Sequence, residues 1–194
     1  MKEHIGKVPK KIKTEDGNYS PLEYRNKFDI DPSDYVELTS FSHQPFYQPF
    51  VLEVPDNWSH APYYNLPIND LMEVMINSIE NGYTFCWDGD TSEKSFKHKD
   101  GEAEWKKRGK VNQKLRQETF FDRSTTDDHL MHVIGLSKND DGAIAFYTKN
   151  SWGPESNDFG GYLHMTEDYV KLKTIAIMVH KDAIPKKIRQ KLNL

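Results

Sequence analysis

Three side chains in this sequence have types and an order that suit nucleophilic catalysis: Cys86, then His129, then Asn150. An imidazole can deprotonate a thiol, and an amide oxygen can hold that imidazole in one tautomer while it does so. Cys86 is the one cysteine of the chain, yet Phe85-Cys86-Trp87 has the composition of a buried strand, where a cysteine is a small apolar side chain. A reactive thiolate needs a helix N-terminus or a cationic neighbour, and Cys86 is therefore assigned to packing. Asn150 opens the tetrapeptide Asn150-Ser151-Trp152-Gly153. An asparagine at a strand end can offer its side-chain oxygen to a histidine on the next strand, and Trp152 can keep water off that bond. A plain strand end with an Asx turn also accounts for the same residues.

His129 and His132, just after Asp127 and Asp128, invite a metal reading. Residues three apart on a strand point to opposite faces, however, and Val133, Ile134 and Leu136 favour a strand, so the two imidazoles do not converge on one ion. His43, His60 and His98 fall in loops without ligand spacing. No metal site is expected.

The elements that must position these residues follow from periodicity. Residues 68–81 place Ile68, Leu71, Met72, Met75, Ile76 and Ile79 on one face, with Asp70 and Glu73 near the start and Gly82 as a stop, which predicts a core-facing helix. Residues 83–87 follow with strand composition and end at the turn signal Asp88-Gly89-Asp90. Strands are expected over 129–136, 143–150, 161–165 and 174–180, the first two joined through Asn139-Asp140-Asp141-Gly142 as a hairpin. Upstream, 35–41 alternates as a half-buried strand, 51–54 is a second short strand, and 22–28 is a short helix in a polar, turn-rich leader. Residues 91–128 are charged and weakly periodic, with Lys106, Lys107, Arg108, Lys110, Lys114 and Arg116, and read as a long surface excursion.

Composition narrows the function classes. With 194 residues, 36% hydrophobic and 12% aromatic, the chain can build about one domain with a sizeable core. Its 26 Lys and Arg against 30 Asp and Glu leave a net charge of -4, so no large positive field holds a nucleic acid. One cysteine excludes both an intrachain disulfide framework and a multi-cysteine zinc site. A mean hydropathy of -0.81, with no long uncharged apolar run, excludes a spanning helix, and the first residues lack the apolar stretch of a signal peptide.

Asp128-His129-Leu130-Met131 through Gly135, then Lys149-Asn150-Ser151-Trp152-Gly153, then Gly160-Gly161-Tyr162-Leu163-His164-Met165-Thr166, resemble the C-terminal half of the papain superfamily of cysteine peptidases. Within it the chain is most similar to the bleomycin hydrolase and aminopeptidase C branch. Thr39-Ser40-Phe41, Pro45-Phe46-Tyr47, the 68–81 helix, the run from Gly82 to Asp90 and the run from Val179 to Pro185 extend that resemblance. The implied fold is α+β, the antiparallel-sheet half of a papain-like peptidase with an upstream helix and loops. The implied organisation is a loop-rich segment, 1–67, against a missing helical domain, and a sheet domain, 68–194, with a charged insertion at 91–128.

The resemblance implies His129 as general base and acid, Asn150 as the group that fixes its tautomer, Trp152 as a shield, and peptide-bond hydrolysis through a thioester, at peptide N-termini. It implies no metal or organic cofactor, a peptide substrate, a cytoplasmic setting, and a homo-hexamer in which the chain's C-terminus, here Asn193-Leu194, blocks the cleft. The family's Gln-x-x-x-Cys-Trp segment at a helix start has no counterpart here, since Cys86-Trp87 matches only as a dipeptide and follows its helix. The nucleophile and the oxyanion glutamine are therefore expected in a separate N-terminal catalytic domain, and this chain alone is expected to be inactive, with an exposed apolar patch near His129 and Trp152. A non-catalytic interaction domain on the same fold is the alternative. Leu130 stands where the family often has a small residue beside the histidine.

Overall fold

The computed structural model describes residues 6–106, 109–139 and 142–194, so Lys107, Arg108, Asp140, Asp141 and the first five residues lie outside the described residues. The chain divides into two compact units, Met1–Asp34 and Tyr35–Leu194. Residues 35–65 contribute three strands to the large sheet of the second unit.

The first unit holds a short antiparallel pair, β1 (Ile12–Thr14) and β2 (Gly17–Tyr19), and a helix, α1 (Pro21–Arg25). Ser20 and Glu23 form a reciprocal capping box at the start of α1, which satisfies two amide donors that a helix of this length leaves open.

In the second unit the strands are β3 (Tyr35–Thr39), β4 (Pro49–Val51), β5 (Pro62–Asn65), β6 (Phe85–Gly89), β7 (Phe96–Lys97), β8 (Glu102–Ala103), β9 (His129–Lys138), β10 (Ile144–Lys149), β11 (Tyr162–Thr166) and β12 (Thr174–His180). They form one ten-stranded sheet in the order β4-β5-β3-β12-β6-β9-β10-β11-β8-β7. All neighbours are antiparallel except β3 with β5 and β8 with β11. The helices are α2 (Ile68–Glu80), α3 (Gln113–Phe121), α4 (Glu167–Lys173) and α5 (Lys186–Leu192). The class is α+β, as expected.

Helix α2 ends where the sequence places its end, with Gly82 at φ +80°, a conformation that glycine adopts at no steric cost. Its Leu71, Val74 and Met75 are fully buried among Phe85, Trp87, Val133, Phe146 and Val179 of the sheet. Each such side chain contributes about 1.5–3 kcal/mol of burial. Parity then sorts the central strands. Phe85, Trp87, Met131 and Val133 turn into this core, whereas Cys86 and Asp88 pair with His132 and Leu130 on the opposite face.

The charged segment 91–128 differs from the expected surface excursion. It supplies β7, β8 and α3, and it closes the core. Arg116 of α3 is fully buried, donating from Nε to the Ser40 carbonyl at 2.7 Å and from Nη1 to the carbonyls of Lys171 and Leu172. Its guanidinium lies 4.7 Å from the Phe41 ring, and burial pushes its pKa down to about 9. Gln113 accepts from the Ile68 amide at 2.8 Å, capping α2 across 45 residues because Pro67 at the N-cap has no side chain able to do so. Periodicity misses this helix because its buried residues are Arg116, Gln117 and Thr119.

Candidate functional site

The start of β9 is fixed before His129 is reached. Asp128 accepts from the Thr91 amide at 2.9 Å and from the Thr91 hydroxyl at 3.0 Å, and Thr126 donates to its other oxygen at 3.1 Å. Gly89, opposite His129, has no room for a side chain: a Cβ there would lie 2.3 Å from the Trp87 ring and 2.4 Å from the Lys173 carbonyl. The tight crossing of β6, β9 and β12 depends on that glycine.

His129 shares the core-facing parity of Met131 and Val133, and at the strand end its ring reaches over β10. Its Nε2 donates to Asn150 Oδ1 at 2.7 Å, well inside hydrogen-bonding distance. The structure therefore brings together the two residues singled out in the sequence. Nδ1 of His129 has no partner among the described residues, which leaves a lone pair available as a base. Trp152 lies over the pair, its ring centroid 5.2 Å from that of His129, while remaining 52% exposed. Leu130 is 54% exposed on the neighbouring position.

Asn150 is buried, and both ends of its amide are engaged. Oδ1 also accepts from the Ser151 amide at 2.7 Å, and Nδ2 lies 3.3 Å from Nδ1 of His98. Beyond it, His98 Nε2 reaches Ser156 Oγ at 2.8 Å, and Ser156 donates to the Gly153 carbonyl at 2.6 Å. His98 sits in the 3-10 turn between β7 and β8, 52 residues from Asn150. In the sequence it reads as a loop histidine, and no local signal marks it, since its partners Asn150 and Ser156 lie more than 50 residues away, at the end of β10 and in the loop after it.

The loop after β10 is held by Asn157, whose Nδ2 donates to the carbonyls of His98 and Tyr162 and whose Oδ1 accepts from Phe159 and Gly161 amides. Gly161 has φ +85° and lies so near Gly153 that a Cβ would come within 2.6 Å of its carbonyl oxygen. The Gly160-Gly161 pair thereby lets the loop fold back and present its amides to Asn157.

Cys86 and His132 stay apart from this corner. They are cross-strand partners on the opposite face, where His132 Nε2 meets Thr84 Oγ1 at 2.8 Å and burial raises the Cys86 thiol pKa. His129 and His132 do diverge. Cys86 thus has the opposite parity to His129 on the paired strands, and its raised pKa favours the thiol.

On that same face a cavity of about 600 Å³ is lined by Glu37, Tyr63, Cys86, Asp88, His132 and Met178, among others. Beside it Asp56, Asp88 and Asp127 bring carboxylate oxygens within 4.8 Å of one another, and they are the one group among the described residues able to offer three such ligands to a cation. Burial, then the charge of Asp127 and a hydrogen bond with it, push the Asp88 pKa up to about 9, which favours its neutral carboxyl.

Among the described residues no helix is long and apolar enough to cross a membrane. Three comparisons place the chain among known proteins. A family described as "Peptidase C1-like family" matches residues 8–194. The chain is 24% identical over 209 residues to an aminopeptidase G of Lactobacillus delbrueckii subsp. lactis, covering 94% of this chain and 46% of that protein. Its fold matches the crystal structure of PepW from Lactobacillus rhamnosis HN001 with a TM-score of 0.76 at 15% identity, covering 99% of this chain and 48% of the other. The chain spans about half the length of these relatives.

Proposed function

The chain belongs to the Peptidase C1-like family, and from that premise we propose that it carries the base and the base-orienting amide of a cysteine aminopeptidase, with the nucleophile supplied by polypeptide beyond these residues. The observation that carries this reading is the His129–Asn150 pair at 2.7 Å, with Nδ1 of His129 left open. Nδ1 takes the proton of a thiol brought against it, and the thiolate attacks the peptide carbonyl. The imidazolium then returns the proton to the departing amine, leaving a thioester. In the second half His129 takes a proton from water, hydroxide adds to the thioester, and the thiol is restored as the acid leaves. Asn150 holds the ring so that Nδ1 is the basic nitrogen throughout, and Trp152 excludes water from the bond between them.

Aminopeptidase action of the bleomycin hydrolase kind is supported by the resemblance of the 129–135 and 149–166 segments and by similarity to the aminopeptidase G sequence. A separate nucleophile is supported by the length of the relatives and by the position of Cys86, on the face away from His129. The exposed Trp152 and Leu130 suit a surface that a catalytic-cysteine domain covers. A peptide is the substrate, and homo-oligomer assembly follows from the same resemblance.

The separation of Cys86 from His129 equally fits a second reading, a fold that retains the base pair but performs no catalysis. Hydrolysis of an aminoacyl fluorogenic amide separates the two. Turnover is expected from the protein extended by its upstream catalytic segment and not from these 194 residues alone. Absence of turnover in a folded extended protein would establish the non-catalytic reading, and turnover by the chain alone that Cys86→Ser abolishes would overturn both.

A further inference from the structure

The amide of Asn150 can sit either way round, and only one way makes His129 a base. With Oδ1 toward His129, Nε2 must carry the ring proton and Nδ1 keeps its lone pair. With Nδ2 toward it, Nε2 must accept, the proton moves to Nδ1, and the nitrogen that should receive a proton from a thiol is already occupied. The orientation of one amide therefore decides whether the corner can act.

That orientation is legible from the far end of the network. The Gly153 carbonyl can only accept, so the Ser156 hydroxyl donates to it at 2.6 Å. Ser156 Oγ then accepts from His98, 2.8 Å away, which puts the His98 proton on Nε2. His98 Nδ1 is left as an acceptor 3.3 Å from Asn150, which selects the Nδ2 end of the amide and turns Oδ1 toward His129. We propose that His98, oriented by Ser156, is a positioning residue for the reaction: it relays the polarity of the Gly153 carbonyl through Asn150 and so sets the tautomer of His129.

The surroundings of His98 suit this role. It is 5% exposed, stacked with Phe96, edge-on to Trp152 at 4.7 Å, and tied through its carbonyl to Asn157. Burial, with the nearby charges of Lys99 and His129, lowers its pKa, which keeps it neutral and able to accept. The Ser151 amide supports the same orientation of Asn150, so His98 biases an equilibrium already weighted in that direction. Its loss is worth about one neutral hydrogen bond, a five- to tenfold effect.

The inference rests on reading His129 as a base, but its test does not depend on turnover. In the chain labelled with 15N-histidine, long-range proton–nitrogen correlations at about pH 8, where histidines of ordinary pKa are neutral, report each tautomer. His98 and His129 are both expected as Nε2–H forms. His98→Leu is expected to add an Nδ1–H population at His129, whereas His98→Asn, whose Oδ1 falls near the position of the imidazole Nδ1, is expected to restore the single form. In the extended enzyme the same pair should show kcat reduced about five- to tenfold in His98→Leu, with KM little changed, and recovered in His98→Asn. A proton on His98 Nδ1 in the unsubstituted chain overturns the proposal outright, without any variant having to fold. So does an unchanged His129 tautomer in folded His98→Leu. Expected tautomers in a protein with no peptidase turnover would sustain the positioning role and refute the catalytic one.

Discussion

Two polar clusters meet at the same end of β9, and they handle buried polarity in opposite ways. In the His129, Asn150, His98 and Ser156 cluster each donor finds an acceptor along a line that ends on a carbonyl. Asp56, Asp88 and Asp127 crowd like charges together, and Oδ1 of Asp88 and of Asp127 are buried without a conventional donor. The first cluster is satisfied by the arrangement of its own hydrogen bonds. Burial and mutual charge push the second toward protonation, so its stability falls as pH rises, whereas the lowered pKa of His98 gives the first a contribution that is lost as pH falls. A third cluster shows the remaining solution: Lys173, fully buried, is met by Asp90 at 3.0 Å, Glu93 at 2.7 Å and the Ser124 carbonyl at 2.6 Å.

The contrast can be broken most severely at His129. In the extended enzyme His129→Ala is expected to lower turnover by about 100- to 10,000-fold, the range for losing a general base, with little change in melting temperature. A loss smaller than about 100-fold, the lower limit of that range, would remove His129 from the mechanism.

The paired charge comes next. Lys173→Met leaves Asp90 buried without its cation, and a loss of about 3–5 kcal/mol is expected in urea unfolding. Burial raises the Asp90 pKa, but hydrogen bonds from Ser92 and Lys173 outweigh that and hold it low, so this contribution is present above the ordinary aspartate range and lost as pH falls through it. A Lys173→Met chain as stable as the parent would show that the pair contributes nothing net.

Asp88 has the opposite sign. A carboxyl raised from 3.8 to about 9 in the fold gives stability that is complete below the unfolded value and lost as pH climbs toward the folded one. Asp88→Asn supplies a permanent donor to Asp127 and is expected to stabilise the chain by about 1–3 kcal/mol at alkaline pH, with little effect in acid. Parallel stability curves for the two proteins between acid and alkaline pH would contradict the raised Asp88 pKa.

The smallest effect belongs to Cys86. Cys86→Ser should leave the turnover of the extended enzyme within a fewfold of the parent, and alkylation of the Cys86 thiol at neutral pH should be slow because burial keeps it protonated. Rapid alkylation coupled to loss of turnover would mark it as a nucleophile.

How much of this was readable before the fold was known depends on the range of the interactions. The 68–81 helix, the 174–180 strand and the β9–β10 pairing were legible, because apolar spacing and strand composition are local and the core they face is large. The second short strand fell at Pro49–Val51 instead of 51–54, and β5, with Pro62 at its start, was not anticipated at all. Helix α3 escaped because it buries an arginine and a glutamine, and their partners lie on segments remote in sequence.

The sequence by itself determined the class of the fold, the strand that carries His129 and the strand end that carries Asn150, because each depends on residues within a few positions of one another. Only the tertiary structure decided that the two meet at 2.7 Å, that Cys86 faces away, and that His98 completes the line. Strand parity and sheet order fix the first two, and neither is a property of any single segment. The third needs a turn brought across 52 residues onto the amide it orients, and hydrogen-bond direction acquires meaning only when donor and acceptor are already in place.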